Sequence, residues 1–390
     1  MSNPVAKRIQ QISPFYVMEL LQRAKELEAQ GRDIIHMEIG EPDFATPQTI
    51  LNAGITHLQS GQVKYTAAAG LSQLREKIAE FYQQRHGILV PPERIFITPG
   101  ASGALLLALG VSLNPGDELL MADPCYPCNA NFAALFEGIA KRIPVDADTQ
   151  YQLTDELIQQ HWTQNTRAVL LASPSNPTGT MIPAQALQQT INQVNAYGGN
   201  FYSDEIYHGL TYGADATTAL KFSQNVFVIN SFSKYFGMTG WRVGWLVVPE
   251  AYIEATEKLA QNVFIATSTN SQFAALAAFE PETLLELERR RQAFEKRRDF
   301  LYQRLVEMGF VCPVKPEGAF YIYANCSKFT DDSFKFAVDL LEAEGVAVTP
   351  GKDFGSHEAR HHIRFAYTTS IENMEIALSR LERFIKQTPH

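Results

Sequence analysis

Between Arg94 and Val248 the chain alternates short apolar runs with stretches of helical period, and no other feature of its 390 residues limits the fold as sharply. The runs fall at 94–98, 118–122, 140–145, 168–172, 200–203, 226–230 and 243–248, with helical candidates at 103–113, 130–136, 154–160 and 183–197. Continuous apolar strands separated by helices belong to a mostly parallel sheet covered on both faces, because each strand buries both of its sides. The expected class is therefore α/β, with a mostly parallel seven-stranded sheet between helices. Such sheets bind ligands at the carboxyl ends of their strands.

Polar residues collect at those ends. Thr98-Pro99-Gly100-Ala101-Ser102-Gly103 follows a strand and opens a helix, whose free N–H groups and dipole favour an anion. It is neither the G-x-G-x-x-G of dinucleotide folds nor a P-loop. Asp123-Pro124-Cys125-Tyr126, Ser173-Pro174-Ser175-Asn176-Pro177-Thr178-Gly179 and Asp204-Glu205-Ile206-Tyr207 end strands in the same way. A fifth loop, from Asn230 to Gly244, holds Lys234 among aromatic and small residues. Desolvation there lowers an amine's pKa until it becomes a usable nucleophile, and lysine nucleophiles form Schiff bases. Ser231, Ser233 and Arg242 in the same loop offer the donors that hold a phosphate.

Before the alternating region, Ser13-Pro14 opens an amphipathic helix over 16–30, closed by Gly31. Residues 34–39 read as a strand running into Gly40-Glu41-Pro42-Asp43-Phe44, where Gly40 serves either a close backbone approach or a tight turn. A helix over 71–85 follows the segment containing Tyr65. After it come helices at 252–262 and 270–279, then Pro281 and a long charged helix over 282–308. The composition shifts there, so a domain boundary is expected near 281. Strands at 318–323, 346–349 and 362–367 and a helix at 333–344 suggest a smaller α+β domain. The arginines at 289–291 and 297–298 alternate with acidic residues and read as a solvated helix face. His357, His361 and His362 lack acidic or cysteinyl neighbours at ligand spacing and read as surface.

A formal net charge of −9 argues against nucleic acid as a partner. No run reaches the roughly 18 apolar residues of a membrane span, and residues 1–7 carry no apolar signal core, so a cytoplasmic location is expected. Four cysteines in this length do not make a disulfide scaffold. Cys125 and Cys128 have C-x-x-C spacing, but Cys312 and Cys326 do not repeat it, and no metal is expected.

Taken in order, these stations resemble the class I/II aminotransferases, the pyridoxal-phosphate enzymes of fold type I, from about Pro14 to the C-terminus. They are Gly-Glu-Pro-Asp at 40–43, the Tyr65 segment, Ser-Pro-Ser-Asn-Pro-Thr-Gly at 173–179, Ser-Asp-Glu-Ile-Tyr at 203–207, Ser-Phe-Ser-Lys at 231–234, Gly-Trp-Arg-Val-Gly at 240–244, and Arg364 in a late strand. The resemblance implies that Lys234 tethers pyridoxal 5'-phosphate and moves the proton. It implies that Asp204 keeps the pyridine nitrogen protonated, and that Tyr207 with Asn176 bonds the cofactor's 3'-oxygen while Tyr126 stacks on the ring. The phosphate is expected against Ala101, Ser102, Ser231, Ser233 and Arg242, with Tyr65 arriving from a second subunit, hence a homodimer with shared active sites. Arg364 is expected to clamp the substrate's α-carboxylate, aided by Asn176 and the Gly40 backbone. The implied division is 1–44 as N-terminal arm and part of the small domain, 45–280 as the large cofactor domain, and 281–390 as the C-terminal small domain.

The expected reaction moves an amino group from an L-amino acid to a 2-oxo acid such as 2-oxoglutarate or pyruvate by ping-pong chemistry. Some aspartate-specific members carry a lysine where Ser102 stands. Without that cation, desolvating a second carboxylate is unfavourable, so a neutral or aromatic donor is expected. Phe15 and Tyr16 either line that pocket or belong to the core. Alternatives are a carbon–sulfur β-lyase using the same residues and a non-catalytic cofactor-binding regulator; the acidic charge and the absence of a DNA-binding segment before Ser13 speak against the latter.

Overall fold

The computed structural model describes residues 5–12 and 14–387. Ser13, read as opening the first helix, lies outside them, as do the ends of the 1–44 and 281–390 segments. The first eight strands are β1 (Ile35–His36), β2 (Ile95–Thr98), β3 (Glu118–Asp123), β4 (Ile139–Pro144), β5 (Thr166–Ala172), β6 (Asn200–Asp204), β7 (Val226–Ser231) and β8 (Gly244–Val247). The others are β9 (Tyr321–Asn325), β10 (Val346–Ala347), β11 (Thr349–Pro350) and β12 (His362–Ala366).

All seven strands expected in the alternating region join one sheet, in the order β2-β8-β7-β6-β5-β3-β4. Every pairing is parallel except those of β8, which runs antiparallel to both β2 and β7. The inner strands are buried on both faces, β7 and β8 at every position. That is why they read as unbroken apolar runs instead of alternating ones. From β3 the chain steps outward to β4, then returns across β3 to β5 and proceeds the other way. The reversal opens a crevice at the carboxyl ends of β3 and β5, where a sheet of this kind takes its ligand.

The helix Gly100–Gly110 starts three residues earlier than the apolar period suggests and packs on β2, β7 and β8. Its sequence is apolar all round because the helix is enclosed on most sides. Its first residue sits at φ +69°, and a Cβ there would stand 2.4 Å from Arg242 Nη2. Glycine is required at this position by conformation and by space. Two helices fall outside the expected set, Gln48–Gln59 and Ile371–Gln387.

The chain's beginning is tied to its last quarter. Strand β1 pairs in parallel with β10, Ile35 opposite Val346, while β11, β12 and β9 form an antiparallel sheet. The expected strand at 346–349 is thus two strands in different sheets, broken at Val348. Beyond β1 the backbone stays bound: Met37 O accepts from Ala366 N (2.8 Å), Glu38 O from Thr349 Oγ1 (2.9 Å) and Ile39 O from Thr368 Oγ1 (3.0 Å). This holds Gly40 at the end of a fixed rail. The helix Tyr16–Ala29 has no side-chain cap from Phe15; Asp353 supplies one from far along the chain, accepting from Tyr16 N (2.8 Å) and Val17 N (3.2 Å).

Two surface expectations need correction. Arg297 and Arg298, read as solvated, are buried at 8% and 7% exposure. Arg297 makes a two-bonded ion pair with Asp43 (2.7 and 2.9 Å) and lies 4.9 Å from the Phe44 ring, so the 28-residue helix Pro281–Met308 grips the turn after Gly40. Arg298 donates to Pro316 O at 3.0 Å. His362, read as surface, is also buried, stacked on Tyr323 at 4.6 Å, while His361 bonds Glu358. Charge pattern registers sequence neighbours and cannot register what a long helix packs against.

Removing one partner of a buried ion pair costs about 3–5 kcal/mol, and Asp43 keeps a third of its side chain in water, which argues for the low end. Arg297→Ala should therefore lower the thermal midpoint by several degrees in a calorimetric scan. An unchanged midpoint would show that the pair contributes nothing to the fold.

Candidate active site

A cavity of about 240 Å³ opens where the carboxyl ends of β5, β6 and β7 meet the Gly40 rail and β12. Lys234 enters it from the loop after β7. Its Nζ donates to Gly40 O at 2.6 Å and lies 5.9 Å from the Phe320 ring centre. Burial pushes its pKa down to about 8; Glu41 and Asp204 oppose the shift, and Arg364 and Arg242 add to it. A primary amine with that pKa is about half neutral at pH 8 and thus a nucleophile and a base.

Asp204 stands at the end of β6, and its Oδ1 accepts from Ile206 N at 3.1 Å. No cation pairs with it among the described residues, and burial lifts its pKa to about 6. A carboxylate so placed is suited to a ligand N–H. Behind it, Glu205 is sealed from solvent, with Oε1 accepting from Ser203 Oγ (3.0 Å), Thr218 Oγ1 (3.0 Å) and Ala219 N (2.9 Å). His208 Nε2 is 3.0 Å from Ser173 O, which can only accept, so the ring carries its proton there and turns Nδ1 toward Glu205 Oε2, 3.4 Å away. Burial raises Glu205 and lowers His208, favouring the neutral form of each.

Arg364, on β12, is 4% exposed and has no carboxylate partner among the described residues. It is aimed by Asn176 Oδ1 (3.0 Å), Thr349 Oγ1 (3.2 Å) and the Glu38 carbonyl, and it stacks on Tyr321 with 4.2 Å between guanidinium carbon and ring centre. Its Nε has no hydrogen-bond partner. A buried cation left this way is a strong attractor for an anion. Tyr207, Asn176 and Tyr126 all line the cavity, and the Tyr207 hydroxyl is 2.8 Å from that of Tyr321.

At the other end of the cavity the helix Gly100–Gly110 begins without a side-chain cap, leaving its first N–H groups, Ala101 and Ser102 among them, for a ligand. Arg242 lies against Gly100, held in the left-handed region (φ 51°) with Nη1 donating to Thr239 O (3.0 Å) and 3.5 Å from Ser233 Oγ. A strained non-glycine residue of this kind marks a backbone set by something other than local preference.

The expected residues therefore converge, with two exceptions. Ser231 does not line the cavity; it stands behind Ser233, its Oγ 2.9 Å from Ser233 Oγ and accepting from Ser233 N (3.1 Å). Tyr65 is 81% exposed and is not among the residues lining this cavity. Of the two N-terminal aromatics, Phe15 lines the cavity, while Tyr16 packs against Phe334 at 5.5 Å. Sequence reasoning missed Tyr321, whose hydroxyl occupies the space a Gly40 Cβ would need, 2.0 Å away. It also missed the apolar wall of Val17, Met18, Leu21 and Ile39. The available signal was the helix Tyr16–Ala29 itself, whose first turn is more apolar than a solvent-facing turn requires.

Residues 32–381 match the family described as Aminotransferase class I and II. A (5-formylfuran-3-yl)methyl phosphate transaminase from Methanocaldococcus jannaschii is 38% identical, over 98% of this chain and 100% of its own. A valine–pyruvate aminotransferase from Mycobacterium tuberculosis is 37% identical over 95% and 96%. A solved aspartate aminotransferase from Thermus thermophilus with maleate superposes with a TM-score of 0.93 at 31% identity, covering 98% of this chain and 100% of that one.

The desolvated amine yields a direct expectation. In ligand-free protein the Lys234 resonance, followed by NMR after ¹³C reductive methylation, should titrate near pH 8, below the ordinary lysine value. A midpoint above pH 10 would contradict the enclosure described here.

Proposed function

Because the chain belongs to the class I and II aminotransferase family, and is thereby a pyridoxal-phosphate-dependent aminotransferase, we propose that it transfers the amino group of a neutral or aromatic L-amino acid to 2-oxoglutarate or pyruvate in a ping-pong exchange. The observation that carries this reading is one cavity holding a desolvated amine, a buried carboxylate without a cation partner among the described residues and a buried guanidinium without an anion.

The donor set fits the cofactor group by group. Ala101, Ser102, Ser233 and Arg242 hold its phosphate, Ser231 orients Ser233, and the partner subunit's Tyr65 completes the site. Asn176 and Tyr207 bond its 3'-oxygen, and Tyr126 gives its ring a flat partner. Asp204 keeps the proton on the ring nitrogen, a role suited to a carboxylate with no other cation to satisfy it. Bound pyridoxal phosphate supplies an aldehyde that takes up the amino group and a protonated ring that accepts the electron pair left at Cα.

Arg364 takes the substrate's α-carboxylate through its guanidinium fork, which Asn176 and the Glu38 carbonyl hold still. Fixing that end limits how the remaining bonds of Cα can turn, which favours proton loss over decarboxylation. Lys234 Nζ, whose burial favours the neutral amine, would move the proton between the substrate's Cα and the cofactor. Gly40 contributes through its carbonyl, which orients Nζ.

Support for a neutral or aromatic donor comes from the wall of Phe15, Val17, Met18, Leu21 and Ile39 and from Ser102 at the lysine position of some aspartate enzymes. The valine–pyruvate relative points the same way, and the aspartate aminotransferase points to the opposite choice. The homodimer is supported by the exposed apolar side chains Ile55, Leu58, Val63 and Tyr65 on the chain's second helix and the segment after it. Pairing of β1 with β10 and capping of Tyr16–Ala29 by Asp353 support residues 1–44 and 281–390 acting together against 45–280.

Stopped-flow half-reactions with phenylalanine, methionine, alanine and aspartate should place aspartate slowest, and a dominant aspartate rate would overturn the donor assignment. Lys234→Ala should lose at least about 10³-fold in turnover, the scale of a lost general base and nucleophile together, while still binding cofactor by fluorescence. Full activity in that variant would sink the mechanism.

A further inference from the structure

A second cavity, of about 410 Å³, lies beside the catalytic one, and the half-buried Phe15 lines both. Phe15 meets Tyr126 of the catalytic wall edge-on at 6.4 Å. Its backbone is pinned, since the next two N–H groups bond to Asp353. The side chain common to both linings therefore stands on a fixed backbone and can move only by changing rotamer.

The second cavity is lined by three cations, Arg142, Lys352 and Arg360. None of them has a carboxylate at ion-pair distance among the described residues. The amine of Lys352 instead stands 4.6 Å from the Tyr16 ring centre and 5.3 Å from that of Phe334. Two carboxylates line the same space, and both are committed to backbone. Asp332 Oδ1 accepts from Phe334 N (3.0 Å) and Lys335 N (3.1 Å), and Asp353 accepts from Tyr16 N and Val17 N. Three cations against two occupied carboxylates give a positive lining in a chain whose net charge is −9. Like charges gathered in a concave wall without partners raise the local concentration of anions, and arginine forks suit phosphate and carboxylate oxygens.

Resting on the aminotransferase reading above, we propose that this second cavity is a distal subsite that takes a terminal anionic group, a phosphate monoester or a carboxylate, at the far end of the substrate's side chain. The substrate's amino and α-carboxylate ends lie at Lys234 and Arg364, its apolar middle passes the wall of Val17, Met18 and Leu21, and Phe15 swings aside to admit its end. This refines the donor assignment. The cations that line the catalytic cavity, Lys234, Arg242 and Arg364, are already assigned to the cofactor and the α-carboxylate, and the unpaired cations line the cavity that shares Phe15 with it. The preferred donor is then an aromatic amino acid with a charged tip.

The matched pair L-tyrosine and O-phospho-L-tyrosine tests this on the holoenzyme, with L-4-carboxyphenylalanine separating carboxylate from phosphate. The phosphorylated or carboxylated amino acid should exceed L-tyrosine at least tenfold in kcat/KM. The double variant Arg142→Met/Arg360→Met should erase that preference through KM, leaving kcat and the L-tyrosine and L-phenylalanine kinetics unchanged. Calorimetric titration of phenyl phosphate into the holoenzyme gives a readout free of turnover: binding to wild type and at least tenfold weaker binding to the variant. Equal use of the paired amino acids, or a preference that survives in the variant, would overturn the proposal. Should no amino acid react at all, the aminotransfer reading is what fails, and phenyl phosphate binding still decides whether the cavity holds an anion.

Discussion

Two buried cations, Lys234 and Arg364, share one cavity with Asp204, a buried carboxylate that pairs with neither, and much of the surrounding fold serves to keep these charges unpaired. Isolated burial of charge is costly. Here each charged group is steadied by neutral dipoles: the Gly40 carbonyl for Lys234, Asn176, Thr349 and the Glu38 carbonyl for Arg364, the Ile206 N–H for Asp204. Neutral partners hold geometry without quenching charge, as the proposed binding of an anionic, aldehyde-bearing cofactor and a carboxylate substrate requires.

This arrangement explains why the chain's ends are interleaved. Gly40 and Glu38 present their carbonyls correctly only if residues 35–39 are fixed against β10, β11 and β12. Those strands in turn carry Arg364 and Thr349. The Arg297–Asp43 pair locks the turn that follows, and Asp353 anchors the helix whose first turn forms the apolar wall. A change in any of these tethers reaches the chemistry by moving a carbonyl or a wall, without touching a reacting atom.

The sheet was legible because strands buried on both faces leave an unbroken apolar signature, and its ligand edge followed from polar loops at the strand ends. Lys234 and Arg242 could be singled out from the loop that carries them, whereas Asp204, Asn176, Tyr207 and the strand residue Arg364 were named through the family resemblance, because each alone also reads as a cap, a turn former, a core residue or a strand arginine. Other features were hidden for physical reasons. Tyr321 lies in a strand whose apolar run does not say which residue faces the cavity. Ser231 shares its loop with Ser233, and only the turn decides which hydroxyl points inward. Arg297, Arg298 and His362 are polar residues buried by partners distant in sequence, which no local pattern encodes. The break at Val348 depends on two different neighbouring sheets. The helix Ile371–Gln387, by contrast, buries Met374, Ala377, Leu378, Leu381 and Phe384 at helical spacing, a period its sequence carries openly.

The central claim is that Lys234 holds the cofactor covalently. Borohydride reduction of the holoenzyme followed by proteolysis and mass spectrometry tests it in one step, since reduction makes a lysine–pyridoxal linkage permanent. The account predicts the pyridoxyl mass on the peptide containing Lys234 and on no other. A label on a different lysine, or none, would contradict it.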